Sequence, residues 1–502
     1  MKSDEFATDV LICGAGAAGL TLAIDLARRG VAFRLIDELP APFHGSRGKG
    51  IQPRTQEVFE DLGVLDRTLA VGGEYPPLRE HRGDGSFSES AAMERTDPTP
   101  AEPHQLALMV PQFLTERVLR ERLSELGGRV ESGCELVALA QEHDGVTATV
   151  VDSRGERVLR VRYLVGADGG KSFVRRSLDV GFPGKTLGVR AVVADVVLSG
   201  LGRDAWHRFG EGDMQRQLGL CPLAGTELFQ LQAPVALEGD VDLSAEGLTA
   251  LLAERTGRSD LRVESVAWAS AYQMNARLAD RYRVGRVFLM GDAAHIHPPT
   301  GGQGLNTSVQ DAYNLGWKLG AVLDHGAPDA LLDSYEEERR PIAASMLGLA
   351  AELLDAARRG SMRRGRDVHQ LDLGYPASSL ALARPERPSG SIAGERAPDA
   401  PIRGRAGQAK RLFELFAGPH WTLLGHGVDR ERVRARRGLR IHTFGPRGEL
   451  IDFGGHVRDA YGWVEGDWVL VRPDGYVGAI VGSGELDQLE RYLAAVGLDA
   501  EG

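Results

Sequence analysis

Two glycine-rich segments contain the residue types of this chain that are best suited to bind a polar or anionic ligand. The first is Gly14-Ala15-Gly16-Ala17-Ala18-Gly19, and the second runs from Gly291 to Asn306 and begins Gly-Asp-Ala-Ala-His. Glycine lets a backbone turn tightly and approach a ligand closely, and the unpaired N–H groups at a helix start attract negative charge. Both segments therefore predict contact with an electron-rich or phosphorylated molecule.

The elements around the first segment complete a dinucleotide-binding pattern. Apolar spacing predicts a strand, a helix and a second strand at residues 9–13, 18–27 and 32–36. In this pattern Gly14 makes the tight turn, Gly16 admits a pyrophosphate and Gly19 lets the helix pack closely on the strand. Asp37, at the end of the second strand, is placed to accept a hydrogen bond from a ribose hydroxyl. The pattern does not distinguish a flavin from a nicotinamide cofactor.

Three later segments favour a flavin. They are a loop with Arg47 before a helix at 56–62, Gln112 at the start of a helix at 113–126, and a strand that enters a glycine-rich turn and helix at 163–175. The second glycine-rich segment has a similar setting, with an apolar run at 286–290 before it and a helix from about Thr307 to Leu323 after it.

Composition limits the other classes of function. The 502 residues, 42% of them apolar, are enough for two or three domains. A net charge of −11 disfavours binding to nucleic acid or to an anionic membrane. The chain starts without a secretory pattern and has no apolar run of membrane-spanning length, so we expect a cytoplasmic protein.

No metal site is expected. Cys13, Cys134 and Cys221 have no metal-binding or disulfide spacing and suit the core. His295 and His297 are two residues apart, but no nearby carboxylate or cysteine completes a ligand set, so we assign them to the turn of the second segment.

Together, these segments resemble the single-component FAD-dependent aromatic hydroxylases, the group A flavoprotein monooxygenases of the p-hydroxybenzoate hydroxylase type. The match covers the glycine-rich start, residues 166–175, residues 291–319 and the stretch from Tyr335 to Pro341. The resemblance implies an α/β fold with three parts. They are a Rossmann-like FAD-binding domain (1–180 with 283–385), an inserted antiparallel-sheet substrate domain (181–282) and a thioredoxin-like C-terminal domain (392–502).

The resemblance also assigns residues to FAD. Its cofactor-binding positions are Gly14, Gly16, Ala18, Gly19, Asp37, Arg47, Gln112, Asp168, Asp292, Gly301, Gly304, Leu305 and Asn306. Asp292 would bond a ribityl hydroxyl, Pro299 would lie beside the isoalloxazine ring, and the backbone of 301–306 would donate to the electron-poor edge of the flavin. Arg47, Asp292 and Pro299 are thus the residues expected to support the chemistry, with Arg175 as a structural ion-pair partner. No substrate-deprotonating base is identified.

Alternating β-branched segments between 181 and 282 predict a sheet, which in the family covers the substrate cavity. The candidate substrate contacts are Met214, Gln230, Gln232, Tyr272, Met274 and Pro299. Packing within the sheet is the alternative interpretation for the five residues on it. The C-terminal segment contains no cysteine, which excludes thioredoxin-type redox chemistry there.

The activity implied by the resemblance is an NAD(P)H-dependent monooxygenation. NAD(P)H would reduce FAD, the reduced flavin would bind O2 as a 4a-hydroperoxide, and one oxygen atom would pass to an electron-rich ring carbon. The expected partners are a small aromatic substrate and NAD(P)H, with no nucleic acid or membrane, and the protein would be a monomer or homodimer. The choice between NADH and NADPH stays open.

Other functions on the same scaffold remain as alternatives. A Baeyer–Villiger or epoxidising flavin monooxygenase would use the same motifs, and so would a flavoprotein that serves only as a scaffold. A halogenase is disfavoured, because Gly316-Trp317-Lys318-Leu319 does not fit the Gly-Trp-x-Trp-x-Ile-Pro signature of that class. An aromatic content of 6% and the small or flexible candidate residues favour a polycyclic polyketide over a simple phenolic acid.

Overall fold

The computed structural model describes residues 6–210, 215–298, 302–358, 365–382 and 390–499. Strands within these ranges are numbered in chain order. They are β1 (Thr8–Cys13), β2 (Phe33–Asp37), β3 (Gly50–Ile51), β4 (Leu78–His81), β5 (Phe87–Ser90), β6 (Leu108–Met109), β7 (Val130–Ser132), β8 (Glu135–Gln141), β9 (Val146–Asp152), β10 (Gly155–Gly166), β11 (Gly184–Ser199), β12 (Trp206–Phe209), β13 (Leu218–Pro222), β14 (Phe229–Val235), β15 (Arg262–Leu278), β16 (Arg283–Val284), β17 (Val287–Leu289), β18 (His295–Ile296), β19 (Pro401–Gly404), β20 (Ala409–Arg411), β21 (Trp421–His426), β22 (Leu439–Phe444), β23 (Leu450–Asp452), β24 (Asp467–Val471) and β25 (Val477–Gly482).

The α-helices of the same ranges are numbered likewise. They are α1 (Ala17–Arg29), α2 (Pro53–Asp61), α3 (Leu65–Val71), α4 (Gln112–Glu125), α5 (Phe173–Ser177), α6 (Ala245–Thr256), α7 (Gln303–Asp324), α8 (Asp333–Arg358), α9 (Leu412–Phe416), α10 (His456–Tyr461) and α11 (Leu486–Ala495). Within the part of the chain that is described, none of these helices combines the length and apolar composition needed to cross a membrane.

The first sheet has a parallel, fully buried centre. Strand β1 pairs in parallel with β2 and β10, and β10 pairs in parallel with β17. The first half of β10 instead forms an antiparallel hairpin with β9. Helix α1 packs between this sheet and α7, as expected for a Rossmann-like domain.

A second, eight-stranded sheet covers one end of this domain. Its order is β18-β15-β11-β14-β13-β12-β4-β5, and its pairs are antiparallel except for β4 with β12. The sheet therefore includes strands from both sides of residues 181–282. One face packs on α6 through apolar side chains such as Leu231 and Leu252. The opposite face carries polar and aromatic side chains.

Two helices begin earlier than their apolar spacing predicts. Helix α7 starts at Gln303 rather than near Thr307, because Gly302 takes a left-handed conformation (φ 66°) that turns the chain into the helix. Helix α2 starts at Pro53, a residue whose fixed φ and missing N–H suit the first helical position.

The C-terminal domain is a third sheet, with order β20-β19-β23-β22-β21-β24-β25. Strands β21 and β22 are parallel, whereas β24 and β25 form an antiparallel hairpin, giving the mixed sheet of a thioredoxin-like fold. This domain is not a separate body, because Trp317 of α7 lies in its apolar core and meets Trp421 edge to face at 5.3 Å.

A buried charged cluster joins the C-terminal domain to α7 and α8. The Glu338 carboxylate accepts two hydrogen bonds from the Arg472 guanidinium, at 2.6 and 2.9 Å, and one from Lys318 Nζ at 2.7 Å. Asp474 bonds the same guanidinium and accepts from Trp317 Nε1 at 2.9 Å. The cluster thus contains two carboxylates and two cations. The charges of Arg472 and Lys318 lower the pKa of Glu338 although the group is buried. Burial lowers the pKa of Lys318 to about 8.

Breaking this cluster should destabilise the whole chain. Arg472→Met leaves two buried carboxylates with one cation, and we expect a loss of about 3–5 kcal/mol in the free energy of unfolding. Urea unfolding followed by tryptophan fluorescence measures it. Arg491→Met, which removes an exposed ion pair with Asp487, is the control and should change little. A similar small effect of both substitutions would contradict the prediction.

Candidate active site

Three strand ends meet at one edge of the first sheet. The pairing register places Cys13 of β1 beside Gly166 of β10, and Gly166 beside Leu289 of β17. Each strand leads directly into one of the glycine-containing turns, at Gly14, Ala167 and Gly291. Ligands of open α/β sheets bind at the carboxyl ends of their strands, so this edge is the candidate site.

The turn after β1 is built by close backbone contacts. Gly14 has a φ of 107°, and a Cβ there would lie 2.2 Å from the Ala167 carbonyl oxygen. A Cβ on Gly19 would lie 1.9 Å from the Gly14 oxygen. A Cβ on Gly16, by contrast, has only Glu116 Oε1 near it, at 3.8 Å. The first and third glycines are therefore needed by the fold, whereas the second leaves room for a ligand.

Asp37 and Arg120 hold this turn from its two sides. The Asp37 carboxylate accepts from the N–H groups of Ala15, at 2.6 Å, and Leu39, at 2.9 Å. Arg120 Nη2 donates to the Ala15 carbonyl at 2.7 Å. Ala18 is buried in the first turn of α1. The carboxylate predicted to bind a ribose thus also shapes the turn.

Asp168 caps helix α5 with one oxygen and leaves the other unsatisfied. Its Oδ2 accepts from Val174 N at 3.0 Å, whereas its Oδ1 is buried without a hydrogen-bond partner in the described part of the chain. Arg175 donates to the carbonyl oxygens of Ala293 and Gly170 and stacks on Phe182. Arg175 was expected to form an ion pair; its hydrogen bonds instead join the turn after β10 to the turn after β17.

Asp292 lies in the short 3-10 turn after β17, and its side chain is exposed to solvent. The protein atoms around it nevertheless raise the pKa of its carboxyl group, against the charges of His295 and Arg47. A carboxylate that solvent reaches although protein surrounds it lies in the wall of a cleft.

The two histidines of this segment belong to a buried hydrogen-bond chain. His297 Nε2 lies 2.9 Å from His295 Nδ1, and His295 Nε2 lies 2.6 Å from Asp311 Oδ2. Asp311 also bonds Gly291 N at 3.2 Å and Arg339 Nε at 2.8 Å. This series of hydrogen bonds fixes the turn that contains Asp292 to helix α7.

The start of α7 forms the adjacent wall of the cleft. Asn306 uses its side chain for the scaffold, because Oδ1 accepts from Gln52 N at 2.8 Å and Nδ2 donates to Gly50 O at 2.9 Å. A Cβ on Gly304 would meet open space, and Leu305 lies beside Gly48. The backbone N–H groups of this first turn have no partners within the helix and are suited to an electron-rich ligand.

The loop before β3 connects this helix to α4 and to the second sheet. Gly48 N donates to Gln112 Oε1 at 3.3 Å, and Gln112 Nε2 donates to Glu116 Oε1 at 2.8 Å. Arg47 stacks on Phe43 and Trp268, with its guanidinium carbon 5.1 and 5.7 Å from the ring centroids. Arg47 is close enough to Asp292 to act on its charge.

The face of the second sheet opposite α6 closes the cleft. Gln230, Asp195 and Trp268 pair across three strands, and Gln232 and Ser270 form the next row, so their side chains share this face. Tyr272 follows on the same strand, and burial raises its pKa to about 12. Trp206 and Trp268 were not predicted from the sequence, because a tryptophan in a strand does not reveal which face it occupies.

Gln230 is fully occupied by the protein. Its amide nitrogen donates to the carbonyl and hydroxyl oxygens of Ser46, and its Oε1 accepts from Lys49 Nζ at 2.6 Å and Gln232 Nε2 at 2.9 Å. All four hydrogen-bonding positions are used. In this structure Gln230 therefore holds the loop, and its contact with a substrate stays a prediction. Met274 lies further along β15, half-buried. Met214, Pro299 and Gly301 lie outside the described residues.

Comparisons with known proteins identify the family. A family model described as an FAD binding domain matches residues 7–350. A flavin-dependent monooxygenase of Mycobacteroides abscessus is 42% identical over 97% of this chain and 99% of its own. The chain belongs to the FAD-dependent aromatic hydroxylases. The 12-dehydrotetracycline 5-monooxygenase/anhydrotetracycline 6-monooxygenase of Streptomyces rimosus is 35% identical, covering 93% of this hydroxylase and 94% of the relative. The solved ternary complex of aklavinone-11 hydroxylase with FAD and aklavinone superposes with a TM-score of 0.85, at 28% identity over 98% and 99% of the two chains.

The residues of this hydroxylase fit FAD. The space beside Gly16, the unsatisfied Oδ1 of Asp168 and the exposed Asp292 carboxylate all lie at the turns that follow the parallel strands. A pyrophosphate needs N–H groups and close approach, and sugar hydroxyls need acceptors. Both are present at this edge of the sheet.

The open space beside Gly16 allows a test of where the FAD pyrophosphate binds. Gly16→Val places two methyl groups where the pyrophosphate would lie, and we expect FAD to bind at least about tenfold more weakly with little change in melting temperature. Flavin fluorescence quenching measures the affinity. Gly83→Val, in the exposed turn between β4 and β5, is the matched control. Undiminished FAD binding by Gly16→Val would place the pyrophosphate elsewhere.

Proposed function

We propose that this hydroxylase uses NAD(P)H and O2 to add one oxygen atom to the ring of a polycyclic, polyketide-like aromatic substrate. The observation that carries the proposal is the sheet face with Trp268 and Tyr272, which Arg47 connects to the turn of Asp292. Large aromatic side chains suit a flat, extended ring system. The names of the relatives, which include tetracycline and aklavinone oxygenases, support this substrate class.

The cations beside this wall add a preference for electron-rich rings. Lys49 Nζ lies 4.4 Å from the Trp206 ring centroid and 2.6 Å from Gln230 Oε1, and Arg47 stacks on Trp268. A positive charge next to an aromatic wall stabilises a phenolate or enolate oxygen. Such a substrate is activated toward transfer of an electrophilic oxygen atom.

The chain's own residues then have distinct tasks. Asp292 would accept from a ribityl hydroxyl, Asp37 from the adenosine ribose, and the first turn of α7, with Pro299 beside it, would contact the isoalloxazine ring. When bound, FAD supplies electron transfer from NAD(P)H and activation of dioxygen. The N–H groups of α7 would stabilise negative charge on the reduced ring, and the sheet wall would exclude water.

The first experiment is a turnover assay on the full chain reconstituted with FAD. NADH or NADPH oxidation is followed with a panel of polycyclic phenols and quinones and of simple phenols, under isotopically labelled dioxygen. We expect substrate-stimulated oxidation and a product that contains one labelled oxygen on an aromatic carbon. Ring expansion or an epoxide would identify the Baeyer–Villiger or epoxidising alternative, and turnover of simple phenolic acids alone would overturn the polycyclic substrate class.

Asp292→Ala provides the matched loss-of-function variant. Without an acceptor for the cofactor's hydroxyls, FAD should bind roughly tenfold more weakly, which fluorescence titration measures. Asp487→Ala, at the exposed start of α11, should behave like the unaltered protein. Equal FAD affinity in both variants would remove Asp292 from the cofactor site.

Tyr272→Phe tests the substrate wall. The Tyr272 hydroxyl is protonated at neutral pH, as an ordinary tyrosine is, so that it can donate to a substrate oxygen. The substitution keeps the ring and should raise KM about tenfold, with a smaller change in kcat. Steady-state kinetics on the substrate found in the panel measure the split. An unchanged KM would assign Tyr272 to sheet packing.

A further inference from the structure

Gln370 has an unusual backbone conformation for its residue type. Its φ is 62°, and the other described non-glycine residue with a positive φ is Asp179, which is exposed. Gln370 by contrast is 2% exposed. A left-handed conformation strains any residue with a Cβ, and glycine or asparagine is the usual solution. A buried glutamine held in this way indicates that its side chain is needed there.

The Gln370 side chain bonds one stripe of α7. Its amide nitrogen donates to Gln303 Oε1 at 2.6 Å and to Thr307 Oγ1 at 3.3 Å, and its Oε1 accepts from Gln310 Nε2. These partners are at positions i, i+4 and i+7, which lie on one face of a helix. A single amide group therefore contacts the first two turns of α7.

Residues 366–375, here called the strap, connect this contact to the rest of the fold. His369 O accepts from Arg54 N at 3.2 Å, at the start of α2. Tyr375 accepts from Arg339, which also bonds Asp311 and the Thr307 carbonyl. The strap thus fixes the beginning of α7 to α2 and α8.

We propose that Gln370 is a positioning residue for FAD, and that its amide holds the start of α7 at the place where its N–H groups meet the flavin. The inference rests on the proposed function, which puts the isoalloxazine ring at this helix start. Backbone N–H groups stabilise charge on a ligand only when they are fixed in advance. Gln370 does not touch the cofactor and acts through Gln303 and Thr307.

The test compares Gln370→Ala with Gln370→Gly in the full chain, with FAD as the probe. Alanine keeps the strain and removes the amide, whereas glycine removes both. We expect both variants to bind FAD about tenfold more weakly and to lower the midpoint potential of the bound flavin, because the reduced, negatively charged ring loses fixed donors. Affinity is measured by fluorescence titration below the melting temperature of each apoprotein, and the potential by dye equilibration.

Two further variants separate positioning from folding. Asp179→Gly relieves a positive φ at an exposed site and should leave FAD affinity and potential unchanged. Gln303→Met removes the acceptor that Gln370 bonds at the start of the helix, and it tests the same contact from the helix side if the strap variants do not fold.

Tight binding restored by Gln370→Gly would overturn the proposal, because the backbone conformation would then be sufficient. An unchanged affinity and potential in Gln370→Ala, or in Gln303→Met where the strap variants do not fold, would also overturn it. These measurements need neither NAD(P)H nor an aromatic compound. Failure here is therefore distinguishable from failure of the oxygenation assay.

Discussion

The parallel pairing of β1, β10 and β17 is the constraint on which the rest of the site depends. Parallel strands in register end at the same edge, so Cys13, Gly166 and Leu289 bring three turns together that are far apart in the chain. The contact between Gly14 and the Ala167 carbonyl leaves no room for a side chain in the first turn. The strand register and the glycine positions therefore specify each other.

The parts of the fold that depend on local pattern were predictable from the sequence. The strand, glycine-rich turn and helix at the N-terminus follow from residues close together in the chain, and the membership of the aromatic hydroxylases follows from several such local motifs taken together. Contacts set by long-range pairing were not predictable. In the sequence, a glutamine that is free to bind a substrate and one that is bonded to the protein look the same. Only the approach of Ser46 and Lys49 shows that the amide of Gln230 is occupied. The tie of Asn306 to Gln52 and the contact of Gln370 with α7 are of the same kind.

Charge compensation explains why the C-terminal domain has one fixed orientation. The cluster around Glu338 contains two carboxylates and two cations, contributed by α7, α8 and the C-terminal sheet. Any other docking of the domain would leave buried charges without partners, which costs more than the loss of apolar contact alone. The apolar contact of Trp317 with Trp421 supplies attraction, and the ionic cluster supplies the geometry.

The insertion of Trp317 into the C-terminal core also sets an order of events during synthesis. Helix α7 forms part of the candidate cofactor site at its start, and its Trp317 lies in the C-terminal core. A ribosome that has just released α7 has not yet produced β21, β24 and β25, which enclose that tryptophan. The nascent chain therefore carries an exposed indole and an incompletely supported cofactor helix until its last hundred or so residues emerge, since domains form as their parts leave the ribosome. We therefore expect the cofactor helix to be fully supported only after the C-terminal strands have folded.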